Sequence, residues 1–498
     1  MIRRSSRDLV LVAGGVAFVL AFGGWLAYLL IEPKHMILNG IDLDVYRDGG
    51  LIVRHARGYY DAGLSPSPLY GWTRSGRDSL RFTYTPFAAI SFVPMSLIPQ
   101  AVAKNISLIA NMAAIPAAIW FTLGGLGYAR DRVRAGATLL SFAAVLWTEP
   151  VMRTLYLGQV NLVLVALIMW DLCQPDSRRN KGFATGIAAG VKLVPLIFVP
   201  YLLATRKFRQ AATAIAGFAV TVVVGFVVLP DDSAKYWFDG LFFSSSRTGF
   251  AGWEGNQSLD ALLVRLAGSI NAAKPFWLAA AVLTVTAGLY AATRLYRAGH
   301  QLPALLLTGL TGDLISPISW DHHWVWLVPG AVVCGHYAVT AWRNGKKHLA
   351  WAYASYVVFV LAVFACWPGS WLHTPKDAPY QFGLIWLPPQ TSPFGPDGFY
   401  AKGDQAWFYE YHWHGPQLVT GNAYVLTGIA VFAVLFLAAC LCCPAPLTAR
   451  DRKEARRGAA VHLGTPLPMP SRRNDCGSCA TAGSSISGKR SEHSEGET

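Results

Sequence analysis

Charge is scarce in this sequence. Asp, Glu, Lys and Arg make up 14% of its 498 residues, against 53% hydrophobic ones, and the mean hydropathy is +0.35. Soluble domains carry about 25% charged residues, so a soluble enzyme and a charge-laced coiled coil are excluded. Cysteine is sparse too, at eight residues. Cys173, Cys334, Cys366, Cys440, Cys442 and Cys443 lie in or at the ends of apolar stretches, where a free thiol is a small hydrophobe. Cys476 and Cys479 have CxxC spacing but stand in a polar tail without a second pair, so neither a secreted disulfide scaffold nor a zinc site follows. Also missing are a Walker motif, a GxGxxG after a strand and an HExxH, which argues against nucleotide-driven transport, a Rossmann cofactor and a zincin protease.

What the chain has in abundance is apolar length. Stretches able to cross the roughly 30 Å hydrocarbon layer recur along it, which predicts an all-α polytopic membrane protein. The 42 basic and 28 acidic residues leave a net charge of +14. Most of that excess sits in short runs between apolar segments, the pattern of membrane-orientation signals rather than of a nucleic-acid partner. Residues 3–31 begin with a basic run like a signal peptide, but their apolar run is too long and lacks a small-x-small cleavage site, so a retained first helix over about 8–31 is expected.

Lys and Arg orient the spans. Arg3, Arg4 and Arg7 place the N-terminus in the cytoplasm. The clusters Arg130/Arg132/Arg134, Arg178/Arg179/Lys181, Arg206/Lys207/Arg209, Arg294/Arg297, Arg343/Lys346/Lys347 and Arg450 to Arg457 belong on the same side. Spans near 135–148, 158–173, 211–229, 275–293, 302–319, 324–341, 350–366 and 420–443 then alternate without conflict. Residues 182–204 are basic at both ends and interrupted by Gly190, Pro195 and Pro200, so they are expected to enter and return as two half-helices. Residues 84–128 must cross an odd number of times, which brings the expected total to 10–12 helices. The expected organisation is a multi-spanning domain over 1–443, with outer loops at 32–83, 230–272 and 367–418, and a disordered cytoplasmic tail over 444–498.

On this topology five polar clusters share the outer face: the loop with Asp42 and Asp44, Gly158-Gln159-Val160-Asn161, Trp253 to Ser258, Trp320-Asp321-His322-His323-Trp324, and the aromatic loop at 367–418. A carboxylate such as Asp42, held just above a bilayer and shielded from water, can serve as a general base; as a solvated loop acid it would do nothing. Asp44, two residues on, would point the other way on a strand. Adjacent histidines point about 100° apart on a helix, so His322 and His323 suit a phosphate or a sugar hydroxyl better than a shared zinc ion; interfacial packing is the bland alternative. Lys192 is flanked by apolar residues, where an unpaired ammonium costs roughly 2.5–3.5 kcal/mol, and it is expected either to act on substrate or to snorkel to the cytoplasmic edge. Tyr84-Thr85-Pro86-Phe87 can start a helix with its proline near the first turn, and Asn256 and Gln257 offer amide donors for sugar hydroxyls.

These residues together resemble the actinobacterial GT-C glycosyltransferases that use polyprenyl-phosphate-linked sugars, and among them the α-(1,2)-mannosyltransferases acting on phosphatidylinositol mannosides and related lipoglycans. The resemblance is carried by Asp42-Leu43-Asp44-Val45-Tyr46, Arg81 to Ala89, Gly158-Gln159-Val160-Asn161, Gly190-Val191-Lys192-Leu193-Val194-Pro195, Asn256-Gln257-Ser258 and Ser316 to Trp326, in the family's order. Two features depart from it: Tyr84-Thr85-Pro86 stands where the family usually has Tyr-Pro-Pro, and the 367–418 loop and the tail look like additions.

The resemblance implies a GT-C fold with Asp42 as catalytic base, since it occupies the first position of Asp-x-x-Val-Tyr. It further implies a polyprenyl phosphomannose donor, a glycolipid acceptor, no cofactor or metal, and inversion from a β-linked donor to an α-linked product at the outer face of the plasma membrane. An inverting transfer needs one base on the acceptor hydroxyl and a stabilised leaving group opposite; as that group is a phosphate, cations replace a general acid. Lys192 and His322 or His323 are the candidates, with Tyr84, Gln159, Asn161, Asn256, Gln257 and Asp44 as further substrate contacts. The alternatives are transfer of arabinofuranose from a lipid-linked donor and, in another class, a secondary transporter, for which broken helices and an intramembrane lysine are also typical, although no internal repeat is found.

Overall fold

The computed structural model describes residues 2–31, 39–61, 68–70, 81–243, 247–367, 383–389, 391 and 408–441. The expected tail, Cys442, Cys443 and the Cys476/Cys479 pair lie outside them, as do parts of the loops at 32–83 and 367–418. The first half contains α1 (Ile2–Ile31), α2 (Ile41–Asp61), the short α3 (Pro86–Ser91), α4 (Gln100–Gly125), α5 (Arg132–Leu146), α6 (Glu149–Leu157) and α7 (Asn161–Leu172). The second half contains α8 (Phe183–Val191), α9 (Phe198–Ala204), α10 (Phe208–Val228), α11 (Ile270–Arg297), α12 (Gln301–Ile315), α13 (Leu327–Arg343), α14 (Lys347–Val363) and α15 (Ala423–Leu441). Among the described residues β-structure is limited to two isolated bridges, Thr148 with Ala365 and Asn256 with Trp320.

Among the described residues six helices are long and apolar enough to cross a membrane, or seven if α6 and α7, which meet at 113°, form one broken span. Three shorter apolar helices, Val194–Ala204, α12 and α14, accompany them. The protein is thus a multi-pass, all-α membrane protein, while the expected 10–12 spans are not confirmed. Residues 84–128 contribute one long helix, α4, because Pro86 and Pro94 each open a separate short helix ahead of it. One crossing also satisfies the odd number that the flanking charges require.

The 182–204 segment enters and returns. Lys181 Nζ donates to Asp176 Oδ1 at 2.9 Å, Gln210 Nε2 donates to the same oxygen at 2.9 Å, and Lys207 pairs with Asp176 Oδ2, so both ends of the segment meet at one carboxylate. On the way in, α8 lies against α10 through its glycines: a Cβ on Gly186 would sit 2.0 Å from Ala214 O, and one on Gly190 2.2 Å from Thr221 Oγ1. Thr221 stands roughly 20 Å along α10 from Phe208, at 1.5 Å per residue. The chain turns back beyond Gly190 through a 3-10 turn, Val194–Ile197, into α9, leaving Lys192 at the apex.

Among the described residues, side-chain contacts gather the basic clusters at one end of the bundle. Arg132 pairs with Asp8 at 2.6 Å, Arg134 Nε donates to Trp120 O at 3.1 Å, and Arg294 Nε donates to Ala439 O at 2.9 Å. Tyr128 meets His336 at 3.1 Å, Tyr337 meets His300 at 3.1 Å, and Gln301 Nε2 reaches Leu172 O at 3.5 Å, tying these groups to one another. At the other end of α4, Lys104 Nζ donates to Asn39 O at 2.6 Å, beside the start of α2. Asp42, Gln159 and Tyr84 meet beside that start.

Candidate active site

Residues 40–47, expected as a loop, open a helix. Gly40, at φ +63, donates its N–H to Tyr156 O at 3.0 Å and accepts from Asp44 N at 2.8 Å, so Asp42 and Asp44 fall in the first turn of α2. Two positions apart on a helix are about 200° apart around its axis. Asp42 therefore faces α6 and α7, while Asp44 accepts from Gln100 Nε2 at 2.6 Å and pairs with Lys104 at 3.5 Å. Asp44 is thus engaged by α4 and set apart from the Asp42 cluster.

The α6/α7 bend presents Gln159 to Asp42. Gly158 makes the turn at φ +71, and a Cβ there would lie 2.8 Å from that of Leu43, so only glycine lets the bend approach α2 this closely. Gln159 is buried, and its Oε1 accepts from the hydroxyls of Tyr46 at 2.6 Å and Tyr84 at 3.3 Å. Those two phenols, themselves 2.8 Å apart, fix the amide so that Nε2 donates to Asp42 Oδ2 at 2.7 Å. Burial raises the Asp42 carboxyl above its ordinary value, restrained by the nearby His322 charge and the Gln159 hydrogen bond. Burial also pushes Tyr46 and Tyr84 upward, so both remain neutral phenols able to donate. Tyr84 introduces α3 as expected: Thr85 caps the helix by accepting from Ala88 N at 3.1 Å and also donates to Gly190 O, tying α3 to the re-entrant segment.

Lys192 does not snorkel. Its Nζ donates to Asn161 Oδ1 at 2.8 Å and to His323 Nε2 at 2.7 Å, while Asn161 Nδ2 donates to His322 O at 2.8 Å. The two histidines occupy a 3-10 segment, Asp321–Trp326, and are held differently. His323 spends Nε2 on Lys192. His322 gives Nδ1 to Asp321 Oδ1 at 3.1 Å, leaving a buried Nε2 without a hydrogen-bond partner. The Asp42 carboxylate thus has the His322 imidazole and the Lys192 ammonium in its surroundings.

Asn256 and Gln257 are brought near the corner but not into the site. Asn256 Nδ2 donates to Ala251 O at 2.8 Å and Pro317 O at 3.0 Å, and Gln257 Nε2 to Glu254 O at 2.6 Å and Gly421 O at 2.8 Å. Both donors of each amide are used on main-chain carbonyls, so neither amide has a donor left for a sugar hydroxyl in this arrangement. Asn256 Oδ1 also accepts from Ser319 N at 2.9 Å, so this pair staples the chain that leads into His322.

Two supporting residues, Glu149 and Arg153, escaped the sequence reading; both hold the Asp321 corner. Arg153 Nε donates to Asp321 Oδ2 at 2.8 Å and lies 3.7 Å from Glu149 Oε1, and Glu149 accepts from Trp386 Nε1 and Tyr424 OH, each at 3.1 Å. All of Glu149, Arg153 and Asp321 are buried. The signal was present in Glu149 and Arg153, an opposite-charge pair four residues apart in apolar sequence, where intramembrane charge marks function by default.

Residues 82–317 match the family model for glycosyltransferase family 87. Similar curated proteins include a polyprenol-phosphate-mannose-dependent alpha-(1-2)-phosphatidylinositol mannoside mannosyltransferase of Mycobacterium tuberculosis, 32% identical over 62% of this chain and 73% of the relative. Another, a polyprenol-phosphate-mannose-dependent alpha-(1-2)-phosphatidylinositol pentamannoside mannosyltransferase of Mycolicibacterium smegmatis, is 33% identical over 66% of this chain and 76% of the relative. The chain belongs to glycosyltransferase family 87. An alpha-(1->3)-arabinofuranosyltransferase of Mycobacterium tuberculosis matches this family 87 enzyme at 30% identity over only 30% of its length. No solved structure matches.

Proposed function

We propose that this membrane glycosyltransferase transfers mannose from polyprenyl phosphomannose to a phosphatidylinositol mannoside or related lipoglycan, forming an α-(1,2) linkage with inversion. Asp42 takes the proton of the acceptor hydroxyl as that oxygen bonds to the anomeric carbon. The bond from that carbon to the phosphate oxygen breaks, and its electron pair leaves with polyprenyl phosphate, whose growing charge is met by Lys192 and by His322 Nε2. Asn161 and His323 hold Lys192, Asp321 holds His322, and Tyr46 and Tyr84 act on Asp42 through Gln159. Because these cations already serve the leaving group, the reaction needs no metal.

The observation that carries this reading is the hydrogen-bonded set running from Asp42 through Gln159 to Tyr84, with the Lys192–His323 contact of 2.7 Å beside it, in a chain whose extensive relatives are named for this donor. The brief arabinofuranosyltransferase match favours mannose over a pentose, and family membership favours transfer over transport. Opposite ends of the bundle for the basic clusters and the site support an active site facing the extracytoplasmic side of the plasma membrane. The test is transfer of radiolabelled mannose from polyprenyl phosphomannose to phosphatidylinositol mannosides by membranes carrying the protein. Transfer from the pentose donor alone would overturn the assignment.

A further inference from the structure

Asp313 is a second buried carboxylate close to the cationic pole. It lies near the end of α12 in the apolar run Leu305 to Ile315, is 4% exposed, and has an oxygen, Oδ2, buried without a hydrogen-bond partner. α12 comes close to the turn after Lys192 because Gly312 faces it: a Cβ there would meet Val194 at 3.2 Å and Ile197 at 3.3 Å. Asp313 consequently lines the same small cavity as Lys192, Asn161 and His323. It also borders a largely apolar cavity of about 500 Å³ between α12, α13, α14 and α15. This is the junction where a ligand with a charged head and an apolar chain would place its head.

Several groups face Lys192. They are Asp42 from α2, the Tyr84 ring 5.9 Å away, His323 from the 3-10 segment, and Asp313 from α12. Among the described residues, Asp42 and Asp313 are the two carboxylates whose charge reaches Lys192, and Asp313 does so across the cavity that it and Lys192 line rather than through a direct ion pair. Asp42 cannot be a constant partner for the ammonium, since it becomes neutral on accepting the acceptor's proton, at the moment when the departing phosphate gains charge. We propose that Asp313 is the standing counter-ion of Lys192, a positioning residue that keeps the ammonium charged and in place for the donor's phosphate. This rests on the reading that Lys192 holds that phosphate. An ammonium at this depth without a fixed carboxylate would shed its proton, and with it its grip on an anion.

The test measures initial rates against donor and acceptor concentration from pH 6 to 10, with the purified protein in lipid nanodiscs, polyprenyl phosphomannose as donor and phosphatidylinositol mannosides as acceptor. In Asp313→Asn the donor KM is expected to rise at least tenfold at alkaline pH, with the alkaline limb moved down by about one pH unit, while the acceptor KM changes less than twofold. Asp313→Glu should restore the limb. Adding Lys192→Arg to Asp313→Asn should remove it, because a guanidinium keeps its proton without a partner. An Asp313→Asn protein whose limb stays in place, or which loses kcat equally at every pH, would overturn the proposal by showing a packing role only. Failure of the unmodified protein to use this donor would instead overturn the proposed function, and is read before any variant is compared.

Discussion

At the scale of the residue, Asp42 owes its properties to its surroundings. Burial raises its carboxyl, so it takes up a proton at a higher pH than a solvated Asp would, and as a base it works only when ionised. kcat/KM should therefore fall as pH drops through the Asp42 value and reach a plateau above it, before the alkaline limb set by Lys192. Asp42→Asn should cut transfer by about 10²–10⁴-fold, the usual weight of a general base. Gln159→Leu removes a donor that favours the carboxylate, so the acid limb should move to higher pH in a pH-rate profile. A limb that stayed in place would mean that Gln159 does not act on Asp42.

At the scale of the element, the re-entrant segment is the part most sensitive to a single substitution. Gly190→Val would push side-chain atoms into Thr221, which lies 2.2 Å from where a Cβ would begin, at a cost of about 1–3 kcal/mol for overpacking. Thermal melting in detergent should record the loss, and the donor KM should rise because Lys192 is two residues away. Thr85→Val removes both the cap of α3 and its link to Gly190 O, with an expected loss of about 0.5–2 kcal/mol. If neither variant altered donor use, the apex would not be what presents Lys192.

At the scale of the whole molecule, the reading requires the two ends of the bundle to lie on opposite sides of the membrane. Arg81 and Arg178 are both exposed, the first three residues before Tyr84 of the site and the second in the cluster around Asp176. In a background without other accessible thiols, Arg81→Cys should react with an impermeant maleimide on intact cells, and Arg178→Cys only after permeabilisation. Labelling of both from the same side would refute the topology on which the extracytoplasmic assignment stands.

The sequence by itself determined the membrane class, most helix positions, the return of the 182–204 segment and the motifs around Asp42, Lys192 and His322. These depend on local patterns of apolar length, proline, glycine and charge, which a chain displays before it folds. Only the tertiary structure decided what each polar group spends its hydrogen bonds on. Asn256 and Gln257 look like ligands in the sequence, but their amide donors are used by carbonyls up to 164 residues away. Asp44 is engaged by Gln100 and Lys104, neither of which the sequence singled out, and Asp313 carries no motif at all. A buried polar group must be paired by whatever the fold brings within about 3 Å, and that partner is set by packing between distant helices rather than by sequence neighbours.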